Sequence, residues 1–212
     1  MKEEKIFFPC SGFNLEGLIS RDEAFSANGG VLFCHPHPQY GGDMHNGVIL
    51  SGVHAAWEAG LSTLRFNFRG VGESGGAYSD GIGEKEDVQA AIECLNGTFG
   101  EQDHFLILVG YSFGAWTGMP VAIREAKING MVAIAPPLEM LDFGLLKECK
   151  KKKLIVAGSQ DLFCPLPLLE EWYQHLEEPK SLIIIERADH FFSSHSRSLI
   201  PPLKEFFKTF YT

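Results

Sequence analysis

Short β-favouring runs alternate along the chain with segments whose apolar positions recur at helical spacing. Residues 31–34, 62–67, 105–109, 130–135, 154–157 and 182–185 are too short for buried helices and rich in β-favouring side chains, so they predict strands, most of them buried on both faces. Ahead of them, residues 5–9 and 15–20 flank the turn signal Ser11-Gly12-Phe13-Asn14 and predict an antiparallel hairpin at a sheet edge. Between the strands, Val48, Ile49, Val53 and Ala56 predict a helix that Gly60 ends, and Ile82, Val88, Ala91, Ile92 and Leu95 predict a second. Ala115, Trp116 and Met119 predict a third, with Pro120 inside the pattern. Residues 138–146 and 166–176 read as short helical or irregular segments. Leu199, Ile200, Leu203, Phe206, Phe207 and Phe210 share one face of a final helix. Apolar strands separated by amphipathic helices imply an α/β fold: a mostly parallel sheet of about seven to eight strands, helices on both faces, and right-handed crossovers. Polar residues where strand C-termini meet loops are then the places to look for chemistry.

Composition removes several classes of function. The 212 residues, 45 % hydrophobic and 21 % charged, are expected to form a single domain, residues 1–212, with a sizeable core. A net charge of −9 disfavours a nucleic-acid surface, and the only basic run, 150–153, is expected to be a solvated loop before a strand. No stretch approaches the roughly 18 apolar residues of a membrane span, and the first five residues lack the apolar core of a secretory signal. Five cysteines, odd in number and without a CxxC pair, fit a reduced, cytoplasmic setting.

The run 105–109 leads without a linker into Gly110-Tyr111-Ser112-Phe113-Gly114. A sharp strand-to-helix turn of this form holds a serine in a strained conformation and lifts its hydroxyl out of the sheet edge. The following helix aims its N-terminal N–H groups at a developing oxyanion. A serine hydroxyl is a poor nucleophile near neutral pH, so it needs a base, and the base needs an acid to fix its tautomer. The strand at 154–157 ends in Gly158-Ser159-Gln160-Asp161, and that at 182–185 in Glu186-Arg187-Ala188-Asp189-His190. Ser112, Asp161 and His190 are therefore the candidate nucleophile, acid and base, in the chain order Ser, Asp, His. Each has a blander reading. Asp161 also suits a helix cap or turn, and His190 is one of eight histidines. Asp189 competes for the acid role but, adjacent to His190, better suits an ion pair with Arg187 or a local backbone hydrogen bond.

An oxyanion hole needs the N–H of Phe113 and one more from the loop after residues 31–34. In His35-Pro36-His37-Pro38 the prolines have no N–H, so within the tetrad only His35 or His37 can donate, and the loop register favours His37. The His35 ring is expected to be a buried hydrogen-bonding group. His35, His37, Asp43 and His45 superficially resemble a metallohydrolase cluster, but Asp43 falls eight positions after His35 and two prolines and two glycines intervene, so no metal or other cofactor is expected.

The elbow, the Gly158-Ser159-Gln160-Asp161 and Ala188-Asp189-His190-Phe191-Phe192 segments, the His35-Pro36-His37-Pro38 loop and the run Asn67-Phe68-Arg69-Gly70-Val71-Gly72-Glu73-Ser74 together resemble the α/β-hydrolase superfamily. The likeness is greatest to its small, lidless bacterial esterase-like members near the dienelactone hydrolases, and it spans nearly the whole chain. The resemblance implies an α/β-hydrolase fold without a cap domain, hydrolysis of small carboxylic esters or thioesters through an acyl-enzyme on Ser112, and oxyanion donors at Phe113 and His37. Dienelactone hydrolases proper use cysteine where this chain has Ser112, so their substrate does not transfer. The more common His-Gly start of the oxyanion loop is His-Pro in this chain. Tyr40, Tyr111, Phe163 and Phe191 are the candidate substrate pocket, with Phe113, Trp116 and Phe192 as further aromatic candidates. Two rivals remain open: a peptidase or acyl-peptide hydrolase using the same three residues, and a non-catalytic binding protein retaining the fold. The expected partner is a small-molecule ester, with no nucleic acid and no membrane. A homodimer through the exposed sheet edge or the final aromatic helix is a further expectation.

Overall fold

The computed structural model describes residues 2–21 and 28–211. Strands β1 (Glu4–Cys10) and β2 (Phe13–Ser20) pair antiparallel. Ser11 (φ 45°) and Gly12 (φ 90°) make the turn, a left-handed pair whose twist matches that of the flanking strands. The turn is tighter than the four-residue signal, because Phe13 and Asn14 already belong to β2. There follow β3 (Gly29–Cys34), α1 (Gly47–Glu58), β4 (Ser62–Phe66), α2 (Glu84–Gly97), β5 (Phe105–Tyr111), α3 (Phe113–Arg124), β6 (Ile128–Ile134), β7 (Lys152–Gly158), α4 (Leu166–Gln174), β8 (Lys180–Ile185) and α5 (Ile200–Lys208). Among the described residues the eight strands form one sheet in the order β1-β2-β4-β3-β5-β6-β7-β8. β2 runs antiparallel to both neighbours and the other pairings are parallel. This is the expected fold class, and the described residues carry no separate cap domain.

Strand alternation divides the interior into two layers. On β3 and β5, Leu32, Cys34, Leu106 and Leu108 face a core shared with α2, α3 and α4. Val31, Phe33, Ile107 and Val109 face the opposite core, closed by α1 and α5. Both faces of the central strands are therefore dry, which is why their sequence reads as an unbroken apolar run instead of an alternating one. Each such side chain contributes roughly 1.5–3 kcal/mol by leaving water. Leu203, Phe206 and Phe207 of the final helix pack inside this second core. No helix of the described residues is long and apolar enough to cross a membrane.

Several local expectations are corrected. α2 begins at Glu84, and Ile82 lies outside it at 75 % exposure. Glu84 is fully buried and its carboxylate accepts from the Ser79 and Gly81 N–H groups at 2.8 Å each, so the preceding loop folds back onto the first helical residue. The basic run is not a solvated loop. Lys152 and Lys153 open β7, and Lys153 is 1 % exposed, its ammonium donating to the Glu177 carbonyl at 2.6 Å. Its long aliphatic stem lies in the interior while the charged end finds a backbone acceptor. Residues 138–146, by contrast, are irregular as one of the two expected readings has it: an Asx turn from Asp142 to the Gly144 N–H leads into a short 3-10 segment, Gly144–Glu148. The helical part of the chain's end stops at Lys208, before Phe210.

Candidate active site

β5 delivers Ser112 to the C-terminal edge of the sheet with φ 53° and ψ −115°. That conformation is costly for a residue with a Cβ and persists only where its surroundings fix it. The Ser112 N–H donates to the Ile134 carbonyl on β6 at 2.9 Å, while its carbonyl accepts from Ala115 and Trp116 in the first turn of α3. A Cβ at position 110 would overlap the Gly114 carbonyl, so Gly110 permits the strand-helix approach. Gly114 answers a different crowding: a Cβ there would overlap the Cys34 carbonyl at the end of β3. The helix is thus pressed against the start of the His35-Pro36-His37-Pro38 loop.

The ends of β7 and β8 are fastened to each other. Ser159 N–H donates to the Ile185 carbonyl, Gln160 N–H to the Ala188 carbonyl, and Arg187 N–H to Ser159 Oγ at 2.7 Å. This join carries Asp161 and His190 into contact. His190 Nδ1 lies 2.9 and 3.0 Å from the two Asp161 oxygens, and His190 Nε2 lies 3.0 Å from Ser112 Oγ. A carboxylate can only accept, so the imidazole proton sits on Nδ1 and leaves Nε2 free to take a proton from the serine. Asp161 also does what its turn reading suggested, since Oδ1 accepts from the Phe163 and Cys164 N–H groups at 2.8 and 3.0 Å. Both side chains are buried. Tyr111 O–H donates to the His190 carbonyl at 2.9 Å, tying the base to the strand that bears the serine. Asp189 turns away: it accepts from the Ser193 N–H, which holds its carboxyl below the ordinary carboxylate range.

The loop after β3 is held through its own histidines. His35 is fully buried; its Nδ1 donates to the Pro36 carbonyl at 2.6 Å, and its Nε2 accepts from the Phe68 N–H at 3.1 Å. Burial pushes its pKa down to about 4, so the ring is neutral near pH 7. The Pro36 carbonyl and the His37 N–H belong to one planar peptide unit. Fixing the carbonyl therefore fixes the direction of the amide. His37 Nδ1 accepts from the Gln39 N–H at 3.2 Å, and Nε2 meets Tyr78 O–H at 3.2 Å. Burial lowers its pKa as well. The far end of the loop is clamped from the sheet: Asn67 Oδ1 accepts from the Met44 N–H, and Asn67 Nδ2 donates to Glu16, which also receives the Glu73 N–H and pairs with Lys5. Among the described residues no group of three or more His, Cys, Asp or Glu is arranged to hold a metal ion.

A cavity of about 580 Å³ lies over Ser112. Tyr40, Tyr111, Phe163 and Phe191 all line it, as do Phe113 and His37, whereas Trp116 and Phe192 do not. Phe192 is buried in the α1/α5 core and Trp116 packs against that of α2 to α4. Sequence reasoning missed Asn46, Met140 and Leu141 in the lining and Tyr78 behind His37. Asn46 caps α1 through its Oδ1, a role its position before an apolar helical run does signal. Among the described residues, no Lys, Arg, Asp or Glu lines the cavity.

A buried imidazole bridging a carboxylate and a strained serine at a strand-helix turn is the arrangement of serine-dependent hydrolases. The sequence profile of the alpha/beta hydrolase family matches residues 31–193, and the chain belongs to that family. It is similar to an uncharacterized protein of Rickettsia prowazekii, 35 % identical over 89 % of this chain and 82 % of that protein. Among solved structures it resembles an alpha-beta serine hydrolase homologue from Coxiella burnetii, with 33 % identity, TM-score 0.88 and 97 % of each chain covered. It also resembles a serine hydrolase without lid from Xanthomonas campestris, with 25 % identity, TM-score 0.88, and 99 % of this chain and 95 % of that one covered.

Proposed function

We propose that the protein is a serine hydrolase that cleaves small, neutral carboxylic esters or thioesters through an acyl-enzyme on Ser112. The observation that carries this reading is the continuous relay from Ser112 Oγ to His190 Nε2 at 3.0 Å and from His190 Nδ1 to Asp161 at 2.9 Å. His190 removes the hydroxyl proton as Oγ attacks the carbonyl carbon, and Asp161 stabilises the resulting imidazolium. The Phe113 and His37 N–H groups receive the charge that collects on the carbonyl oxygen. Collapse of the tetrahedral intermediate expels the alcohol or thiol, which takes its proton from His190. Water, deprotonated by the same imidazole, then releases the acid and restores Ser112. A largely apolar cavity, lined among the described residues by no Lys, Arg, Asp or Glu, supports a neutral substrate, and the serine hydrolase relatives support the reaction class. A reducing, cytoplasmic setting is part of the same proposal, supported by five unpaired thiols.

The test is hydrolysis of p-nitrophenyl acetate and butyrate by the native protein and by Ser112→Ala, together with fluorophosphonate labelling. Loss of both turnover and label in the variant is expected. Equal turnover in the two proteins would remove Ser112 from the chemistry, and a native protein that neither turns over nor labels would point to a binding protein that retains the fold.

A further inference from the structure

The connection between β6 and β7 borders two cavities. Pro137, Met140 and Leu141 line the one over Ser112. Leu138, Met140, Leu141 and Phe143 line a second, of about 340 Å³, which Leu168 and Trp172 of α4 also line. Met140 and Leu141 are the residues common to both. Leu141 is half-buried and packs on the core, but Met140 is 64 % exposed. Its N–H is held by the Pro137 carbonyl at 3.0 Å, so the backbone is placed while the side chain is not enclosed. A methionine has three rotatable side-chain bonds and a soft thioether, and re-packs readily around varied shapes. Met140 therefore stands, exposed and unenclosed, in the partition that the two cavities share. The first lining is largely apolar and, among the described residues, has no Lys, Arg, Asp or Glu, while the second sets Leu138, Phe143, Leu168 and Trp172 beside Asp142 and Lys147, which are of opposite sign.

We propose that the second cavity is a distal acyl subsite, which takes the end of a neutral, unbranched acyl chain too long for the cavity over Ser112, and that Met140 sets the length at which a chain passes from one to the other. The inference rests on the ester-hydrolase reading above. Short acyl groups lie wholly within the first cavity and leave Met140 in place. Longer ones displace it and bury their ends against Leu168 and Trp172, where each added methylene gains by leaving water.

The experiment measures kcat/KM for p-nitrophenyl esters from acetate to octanoate and reads the octanoate-to-acetate ratio. Met140→Ala removes the partition and is expected to raise that ratio about tenfold, the scale on which apolar pockets discriminate small changes in chain length. Met140→Trp thickens the partition and lowers the ratio by a similar factor. Adding Leu168→Trp to Met140→Ala fills the second cavity and returns the ratio towards the native value. A ratio unmoved by both single variants overturns the proposal. So does a rise in Met140→Ala that Leu168→Trp does not reverse, since the chain then runs elsewhere. Met140 is an exposed side chain, so its truncation opens no hole in the core. Failure of the underlying reading looks different: the native protein cleaves no ester of any length and Ser112 takes no fluorophosphonate, and the subsite falls with it. Ser112-dependent hydrolysis with an insensitive ratio defeats the subsite alone.

Discussion

Replacing His35 by phenylalanine tests how the anion pocket is held. The ring is fully buried and packs edge-on against Phe68 with centroids 4.7 Å apart, a contact phenylalanine retains. Two hydrogen bonds are lost: Nδ1 to the Pro36 carbonyl and the Phe68 N–H to Nε2. Each orphaned buried group costs about 1–3 kcal/mol, and the half-buried Pro36 carbonyl lies at the low end because water reaches it, so the expected destabilisation is roughly 2–4 kcal/mol at pH 7. On the proposed mechanism, release of the Pro36–His37 peptide takes one oxyanion donor from its place, which is expected to lower kcat by about 10²–10³ with little change in KM. The pH dependence carries a second signature. In the folded state His35 stays neutral down to about pH 4, whereas the unfolded chain binds its proton near 6.5. Between those values the unfolded state holds more protons, so stability from this group is full above pH 6.5 and is lost as pH falls to 4, by roughly 3 kcal/mol. Urea unfolding across that window is expected to show a steeper acid loss in the native protein than in His35→Phe. A variant with kcat within twofold of native, or with the same acid slope, would refute the assigned role.

Two further substitutions probe the relay and the elbow. Asp161→Asn leaves Oδ1 accepting from Phe163 and Cys164 but turns an NH₂ towards His190 Nδ1, which forces the imidazole proton onto Nε2. Steady-state kinetics should show kcat reduced about 10⁴-fold, and a loss under tenfold would mean that Asp161 is only a turn residue. Gly114→Ala drives a methyl group into the backbone carbonyl of Cys34, which cannot swing aside as a side chain could. Thermal melts are expected to show a loss of roughly 2 kcal/mol or more, while Gly97→Ala, in a helix and with open space around the new methyl, is neutral or stabilising.

The parts of the molecule legible in the residues are those that periodicity and chain order encode. Runs such as Phe105 to Val109 announce a strand dry on both faces. Asp161 and His190 are legible as candidates because each follows such a run, and their meeting depends on the β7–β8 join that parallel pairing makes possible. What stayed hidden depends on loops approaching one another in space. Tyr78 reaches His37 only because Glu84 folds the segment before α2 back onto itself, and nothing in the local pattern marks Ile82 as lying outside that helix. Met140 and Leu141 reach the cavity from a connection without regular periodicity. Lys153 misleads for another reason: its charge reads as solvent exposure, while the carbonyl that receives it belongs to Glu177, more than twenty residues along.

Glu16 gathers Lys5 from the outermost strand, the Asn67 side chain and the Glu73 amide, and Asn67 in turn grips Met44. The terminal hairpin is therefore a stay-line for the segment that bears His37, although it contributes no atom to the pocket. Loosening that hairpin, by a graft at the Ser11-Gly12 bend or by a neighbour pulling on β1, would slacken the anion cradle from outside. On the proposed mechanism, turnover then becomes adjustable from the rim of the sheet.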